Sequence, residues 1–113
     1  MLAKTNRLRN KKDFDRVFKI GHAFKEDFLF LKFAKNNLAD SRFGFVVSKK
    51  FSNKAVIRNK VRRRLRSLIE INLLKIKKGM DCVILVRPGL EITDFWDLEK
   101  KIERLLKKSS LIE

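Results

Sequence analysis

Between residues 41 and 69 the chain carries ten lysines and arginines and not one acid. The cations are Arg42, Lys49, Lys50, Lys54, Arg58, Lys60, Arg62, Arg63, Arg64 and Arg66. Within the stretch Ile57, Val61, Leu65 and Leu68 recur at the three-to-four spacing of one helical face. That spacing predicts an amphipathic helix over about Asn53–Leu74. Asn59, Arg62, Arg63 and Arg66 stand at i, i+3, i+4 and i+7 and share the opposite face. As an isolated helix this is poorly designed. Arg58/Arg62, Lys60/Arg64 and Arg62/Arg66 are like-charge i,i+4 pairs, each unfavourable by roughly 0.2–0.5 kcal/mol. Arg58 and Lys60 also sit near the N-terminal end, where the macrodipole repels cations. An anionic partner is expected to offset these costs.

The rest of the composition agrees. Over 113 residues, 29 Lys and Arg against 13 Asp and Glu leave a formal net charge of +16. Such an excess makes a polyanion the first partner to consider, and the arginine-rich run suits phosphate oxygens bidentately. The length fits a single domain, 1–113, with one core. The charge spreads along the chain instead of forming one juxtamembrane tract, so a membrane surface is the weaker partner. No apolar run approaches the roughly 18 residues of a spanning helix, and no signal peptide is evident. The one cysteine, Cys82, lies in MDCVILV and reads as a small buried hydrophobe in a reducing, cytoplasmic setting.

Protein-borne catalysis finds no footing. The single histidine, His22, excludes an acid–base histidine pair. One Cys and one His make no zinc site, and no metal-ligand spacing is present. The four glycines are scattered, so no phosphate-cradling loop is spelled out. Asp13/Asp15 and Asp94/Asp97 read as helix N-terminal charges. No catalytic or metal-binding residue is assigned.

Residues 1–12 are basic and poorly patterned and are expected as an extended arm over the domain surface. A first helix is predicted over about Lys12–Ile20, with Phe14, Val17 and Phe18 on one stripe and Gly21 as a left-handed cap. His22–Ala34 reads as extended, with Ala23–Asp27 a separate short strand. Leu29, Leu31 and Phe33 face one way; Phe28, Phe30 and Lys32 face the other. Arg42–Ser48 is the next strand, with Phe43, Phe45 and Val47 alternating against Gly44, Val46 and Ser48. After the basic helix, Met80–Val86 has the pattern of a strand buried on both faces. Pro88-Gly89 turns the chain into a last helix, capped by Thr93 or Asp94 and running to about Lys108. Phe95, Leu98, Ile102, Leu105 and Leu106 point inward. Its Asp97/Lys101 and Glu103/Lys107 pairs mark an ordinary solvated face.

Nine of the ten Phe precede residue 52, and the extended segments are apolar on both faces. If the two long helices cover one sheet face, the short first helix shields only part of the other. The expectation is a partly open sheet rimmed by Phe14, Phe18 and Lys49, a stacking platform for unpaired bases. Asn59 either reads a base or sugar edge or bonds locally.

FGFVVSKKFSNKAVIRNKVRRRLR, with the opening NRLRNKKDFDRVFKIG, the later DCVILVRPG and the closing LLKKSS, resembles the protein component of bacterial ribonuclease P. The resemblance implies an α+β fold: a single-domain α/β sandwich of order α-β-β-β-α-β-α, like a ribosomal-protein domain, with a left-handed βαβ crossover. It implies a protein that assists a catalytic RNA, which with Mg²⁺ removes the 5′ leader of precursor tRNA. By position, Arg58, Asn59, Lys60, Arg62, Arg63 and Arg66 would face the RNA subunit. Phe14, Phe18, Phe43, Ser48, Lys49 and Lys50 would line the leader cleft, and Asn6 and Arg7 would belong to the arm. Two positions depart from the pattern. Lys60 replaces the second Arg of Arg-Asn-Arg and loses its bidentate geometry; Lys32 stands where some relatives carry an aromatic. A ribosomal or other structural RNA-binding protein is the alternative, sharing size, charge and fold class. A DNA-binding module is disfavoured, because a buried strand, not a dimerisation element, follows the helix.

Overall fold

Hydrophobic periodicity sets the architecture. In the computed structural model, which describes residues 2–88 and 95–112, the side chains at 95 and 96 excepted, seven elements follow in the expected order. They are α1 (Lys11–Ile20), β1 (His22–Glu26), β2 (Leu29–Lys35), β3 (Arg42–Val47), α2 (Ala55–Asn72), β4 (Met80–Val86) and α3 (Phe95–Lys108). Short 3₁₀ turns occupy Lys4–Asn6 and Leu73–Lys75. The expected cap at Thr93 or Asp94, Gly89 of the turn and the inward Phe95 lie outside the described residues.

The strands form one sheet in the order β1-β2-β4-β3. The near-continuous apolar run of β4 is therefore central, antiparallel to β2 and parallel to β3, and α2 is the crossover between the parallel pair. Register aligns Leu31 with Ile84 and Phe45 with Ile84, which puts Leu29, Leu31, Ile84, Val86 and Val47 on one face. There they pack with Val61, Leu65, Leu68 and Ile69 of α2 and Leu98, Ile102, Leu105 and Leu106 of α3. Among the described residues the opposite face meets α1 and the N-terminal segment: Val17 joins Leu8 and Val83, flanked by Phe14 and Val46.

Three local expectations are corrected. Gly21 is not a left-handed cap: its φ is −71° and ψ 151°. It is glycine for space, since a Cβ there would lie 2.4 Å from the Val17 carbonyl oxygen. Phe28 does not alternate with Phe30, because it precedes β2 in the turn after Asp27 (φ 51°) and is buried in the main core. Ile57 lies in the first turn of α2, before the buried positions begin at Val61, and is 40% exposed. The N-terminal segment packs on the domain: Leu2 joins the main core, and Arg7 bridges Phe43 in parallel along the outer edge of β3.

α1 is tied down by charge as well as by Val17. Asp81, fully buried in β4, accepts from Arg42 Nε at 2.8 Å and Nη2 at 2.7 Å and from Asn36 Nδ2 at 2.9 Å. Arg42 also reaches Asp13 of α1 at 3.4 Å, and Arg16 lies 3.9 Å from Asp81. The hydrogen bonds from Arg42 to Asp81 hold the guanidinium pKa above its ordinary value. A buried carboxylate needs this saturation.

Candidate nucleic-acid interface

α2 begins with no acid in its first turn and no side-chain cap on its N-cap residue, Lys54. Helical geometry divides its cations into two stripes. The inner stripe runs Arg58, Asn59, Arg62, Arg66 toward the β3 edge, where the Arg66 guanidinium lies 5.9 Å from the Phe45 ring centroid. The outer stripe of Lys60, Arg63, Arg64 and Ser67 lines an open groove of ≈ 260 Å³. Arg58 donates to the Ser52 carbonyl oxygen at 3.0 Å, and Arg62 donates to Asn59 Oδ1 at 2.6 Å. Both acceptors are neutral, so neither guanidinium charge is cancelled by its partner. The Arg62 contact is the local bonding alternative for Asn59, whose amide N–H groups remain exposed at the helix surface.

The six cleft residues do not share one cavity. Phe14 and Phe18, one turn apart on α1, line separate recesses. Phe18, 39% exposed, borders a recess of ≈ 100 Å³ with Ala23, Phe30, Lys32, Leu85 and Arg87. Lys32 donates from Nζ to the Phe18 carbonyl oxygen at 2.8 Å and sits 5.8 Å from the Phe18 ring centroid. Its cation therefore caps the C-terminal end of α1, where the dipole favours it. Phe30 lies near Arg87 at 4.8 Å and Lys25 at 5.6 Å. Phe14 instead lines a slot of ≈ 230 Å³ at the outer edge of β3, with Arg7, Leu8, Arg9, Phe43, Gly44, Phe45 and Arg66.

Phe43 borders the same slot as Phe14 but exposes little of its ring. It is 2% exposed, and its register with Cys82 belongs to the face covered by α2 and α3, opposite α1. Ser48, Lys49 and Lys50 form the turn after β3: Ser48 Oγ accepts from Lys50 N at 3.0 Å, and Ser48 N donates to the Val86 carbonyl oxygen at 3.0 Å. That bond places the turn beside the end of β4, next to Arg87. In the N-terminal segment Asn6 Nδ2 donates to the Ser41 carbonyl oxygen at 2.9 Å and Arg7 Nε to the Leu2 carbonyl oxygen at 2.8 Å, so both hold the segment in place. Sequence reading missed Arg9, Phe45, Arg64, Ser67, Phe30 and Arg87. Arg64 and Ser67 had a signal, standing at i+4 and i+7 from Lys60; the others meet their neighbours only through the sheet.

A sheet open on one side, aromatic rings beside guanidinium groups and a two-sided basic helix define an RNA-binding α/β protein. The sequence profile of the family described as Ribonuclease P matches residues 2–110. The ribonuclease P protein component of Thermotoga maritima is 40% identical over 106 residues, 90% of each chain. A solved structure of the T. maritima protein in complex with 1-(4-fluorophenyl)-2-thiourea superposes with a TM-score of 0.83 at 40% identity, covering 90% of this chain and 98% of that one. The Staphylococcus aureus ribonuclease P protein gives a TM-score of 0.88 at 25% identity, covering 97% and 100%. The chain belongs to the ribonuclease P protein family and is a subunit of that endoribonuclease, which processes tRNA. This match separates it from the ribosomal alternative.

Proposed function

We propose that α2 docks on the catalytic RNA subunit while the open side of the sheet holds the single-stranded 5′ leader of precursor tRNA. Phosphodiester hydrolysis belongs to the RNA in this reading, and the protein works by charge and position. The observation that carries it is the two-stripe basic helix, whose Arg58 and Arg62 hydrogen-bond to neutral oxygens and keep their charge for an outside anion. Phe18, with Lys32 and Arg87 around it, supplies an aromatic and cationic wall for unpaired bases. The Ser48–Lys50 turn extends this wall with two further cations.

Mg²⁺, which the family resemblance implies, is assigned to the RNA. Among the described residues no three His, Cys, Asp or Glu side chains converge as a metal site. Asp81, the one fully buried carboxylate described, is already saturated by Arg42 and Asn36. No helix of the described residues is long and apolar enough to cross a membrane, and a cytoplasmic site of action is the natural one for a tRNA-processing subunit.

The test is reconstitution. The purified protein and RNA subunit are titrated against each other at several salt concentrations. With about six phosphates contacted, log K against log[salt] falls with a slope of roughly −4 to −5. The complex cleaves precursor tRNA and releases the leader. A slope near zero removes the electrostatic account; cleavage by the protein without RNA removes the assignment of chemistry.

A further inference from the structure

α1 has little apolar contact to hold it in place. A helix of 10 residues is marginal by itself, and Val17 is its one buried side chain. Four charges of alternating sign add to that contact. Arg42 and Asp81 form the sheet half, joined across β3 and β4 by hydrogen bonds of 2.8 and 2.7 Å, with Asp81 fully buried. Asp13 and Arg16 form the helix half: Asp13 lies 3.4 Å from Arg42, and Arg16 lies 3.9 Å from Asp81. We propose that this quartet sets the register of α1 on the sheet, so that Asp13 and Arg16 are positioning residues for the 5′ leader, acting through Phe18. The inference rests on the leader reading above and deepens it, since neither residue is itself assigned a contact with RNA.

Three observations carry it. The signs are complementary in one register only. A slip of about one turn, roughly 5.4 Å, brings Arg16 toward Arg42 in one direction and Asp13 toward Asp81 in the other. Like charges then meet beside a buried carboxylate, where water screens them poorly. The apolar contact of Val17 with Leu8 and Val83 is non-directional and discriminates less.

The sheet half also stands independently of α1. Arg42 and Asp81 are partners in the β3–β4 register, and Asn36 Nδ2 donates to Asp81 at 2.9 Å. Finally, the position of α1 reaches the leader wall. Arg16 Nη2 donates to the Lys35 carbonyl oxygen at the end of β2, and Lys32 of the same strand donates to the Phe18 carbonyl oxygen at 2.8 Å. Phe18 and Lys32 both border the recess that holds Phe30 and Arg87. A shift at the quartet therefore moves the Phe18 ring relative to the rest of that wall.

The test exchanges the helix half in full-length protein. Asp13→Arg with Arg16→Asp keeps composition and net charge but sets like charge against both Arg42 and Asp81. The variant is measured for affinity to the RNA subunit and, after reconstitution, to leader-bearing precursor and to mature tRNA. Leader-bearing precursor is expected to weaken about fivefold or more, the equivalent of one lost base stack. Mature tRNA and the RNA subunit are expected to stay within twofold. Asp13→Glu, which keeps the sign, is expected to retain the parental preference for the leader, and Asp13→Asn to lose part of it. A purely structural role lowers the melting temperature and leaves that preference unchanged.

Phe18→Ala separates this inference from the reading beneath it. If Phe18→Ala loses the leader preference and the exchange keeps it, the quartet is overturned and the leader reading stands. If both keep it, the leader reading falls as well. Equal losses for all three partners also overturn the quartet as a positioning device. Should the exchange unfold, Asp13→Asn against Asp13→Glu decides, because Asp13 is partly exposed and both variants keep its size or its charge. Identical leader preference in those two overturns the inference.

Discussion

α2 and α3 pack on the same face of the sheet and both are rich in lysine and arginine, yet they use them in opposite ways. Three of the five cations of α3 are consumed inside the protein. Lys101 meets Asp27 at 2.6 Å and Asp97 at 3.6 Å, while Lys108 and Arg104 reach Glu26 at 2.9 and 3.7 Å. These contacts staple the helix to β1 and the turn that follows it. In α2, Arg58 and Arg62 bond neutral oxygens and Arg66 leans on an aromatic ring. Net charge alone does not mark a binding surface. The mark is whether the fold supplies the counter-charge, as it does for α3, or leaves that to a partner.

The sharpest way to break this contrast is to reverse charge on α2. Arg62→Glu with Arg66→Glu should lower affinity for the RNA subunit on the order of 100-fold at matched salt. The melting temperature should change little: reversing residue 62 turns its i,i+4 repulsion with Arg58 into attraction, whereas the two new acids still repel each other and the one at 66 repels Glu70. Affinity and melting measured on one preparation settle it. A double variant that unfolds, or one that binds as well as the parent, would remove α2 from the outward-facing class.

The next largest effect is expected where cations are most fully consumed. Asp81→Asn keeps the shape of the β4 side chain but leaves Arg42 and Arg16 facing a neutral group. Breaking a buried pair from one side costs about 3 kcal/mol or more. Urea unfolding should show the loss as a lower midpoint with an unchanged slope. The variant that remains folded should bind the RNA subunit within twofold of the parent, since neither α2 stripe touches this cluster. A large loss of RNA affinity from the folded variant would blur the line between inward and outward cations.

Sequence carried this contrast only in part, for physical reasons. The acid-free run and the mixed-sign last helix are local patterns, so their difference was legible. So was β4, whose apolar run, broken only by Asp81, has the pattern of a central strand. Asp81 was not legible as a hub: its partners Arg42, Asn36 and Arg16 reach it only once β2, β3 and α1 are in place. Strand alternation put Phe43 with Phe45 and Val47, but nothing local tells which face α1 will cover, and Phe43 lies on the other one. Gly21 looked like a conformational glycine and is a steric one, since the atom it avoids is the Val17 carbonyl. Phe14 and Phe18 lay on one helical stripe, and only the sheet beneath them shows that each borders its own recess.

The smallest predicted effect concerns the pH at which the α3 staple lets go. The hydrogen bond from Lys101, aided by its charge, lowers the Asp27 pKa from its ordinary 3.8. A carboxylate with a folded pKa below its unfolded one stabilises fully above the unfolded value, and that stability is lost as pH falls through the folded value. Asp27 therefore contributes at neutral pH, and that contribution declines as pH falls below 3.8. Lys101 has the opposite sign: its pKa is raised above 10.5 by the same bond, so its share is present below that pH and lost as pH rises past it. Asp27→Asn should lower the melting temperature at pH 7 modestly, because the carboxylate is half exposed and screened. It should also flatten the fall of melting temperature on the acid side of 3.8 relative to the parent. Arg63→Ala, on the outward stripe of α2, should leave that acid limb unchanged. If the acid limbs of Asp27→Asn and the parent coincide, or Arg63→Ala flattens its own, α3 does not hold its cations by internal pairing.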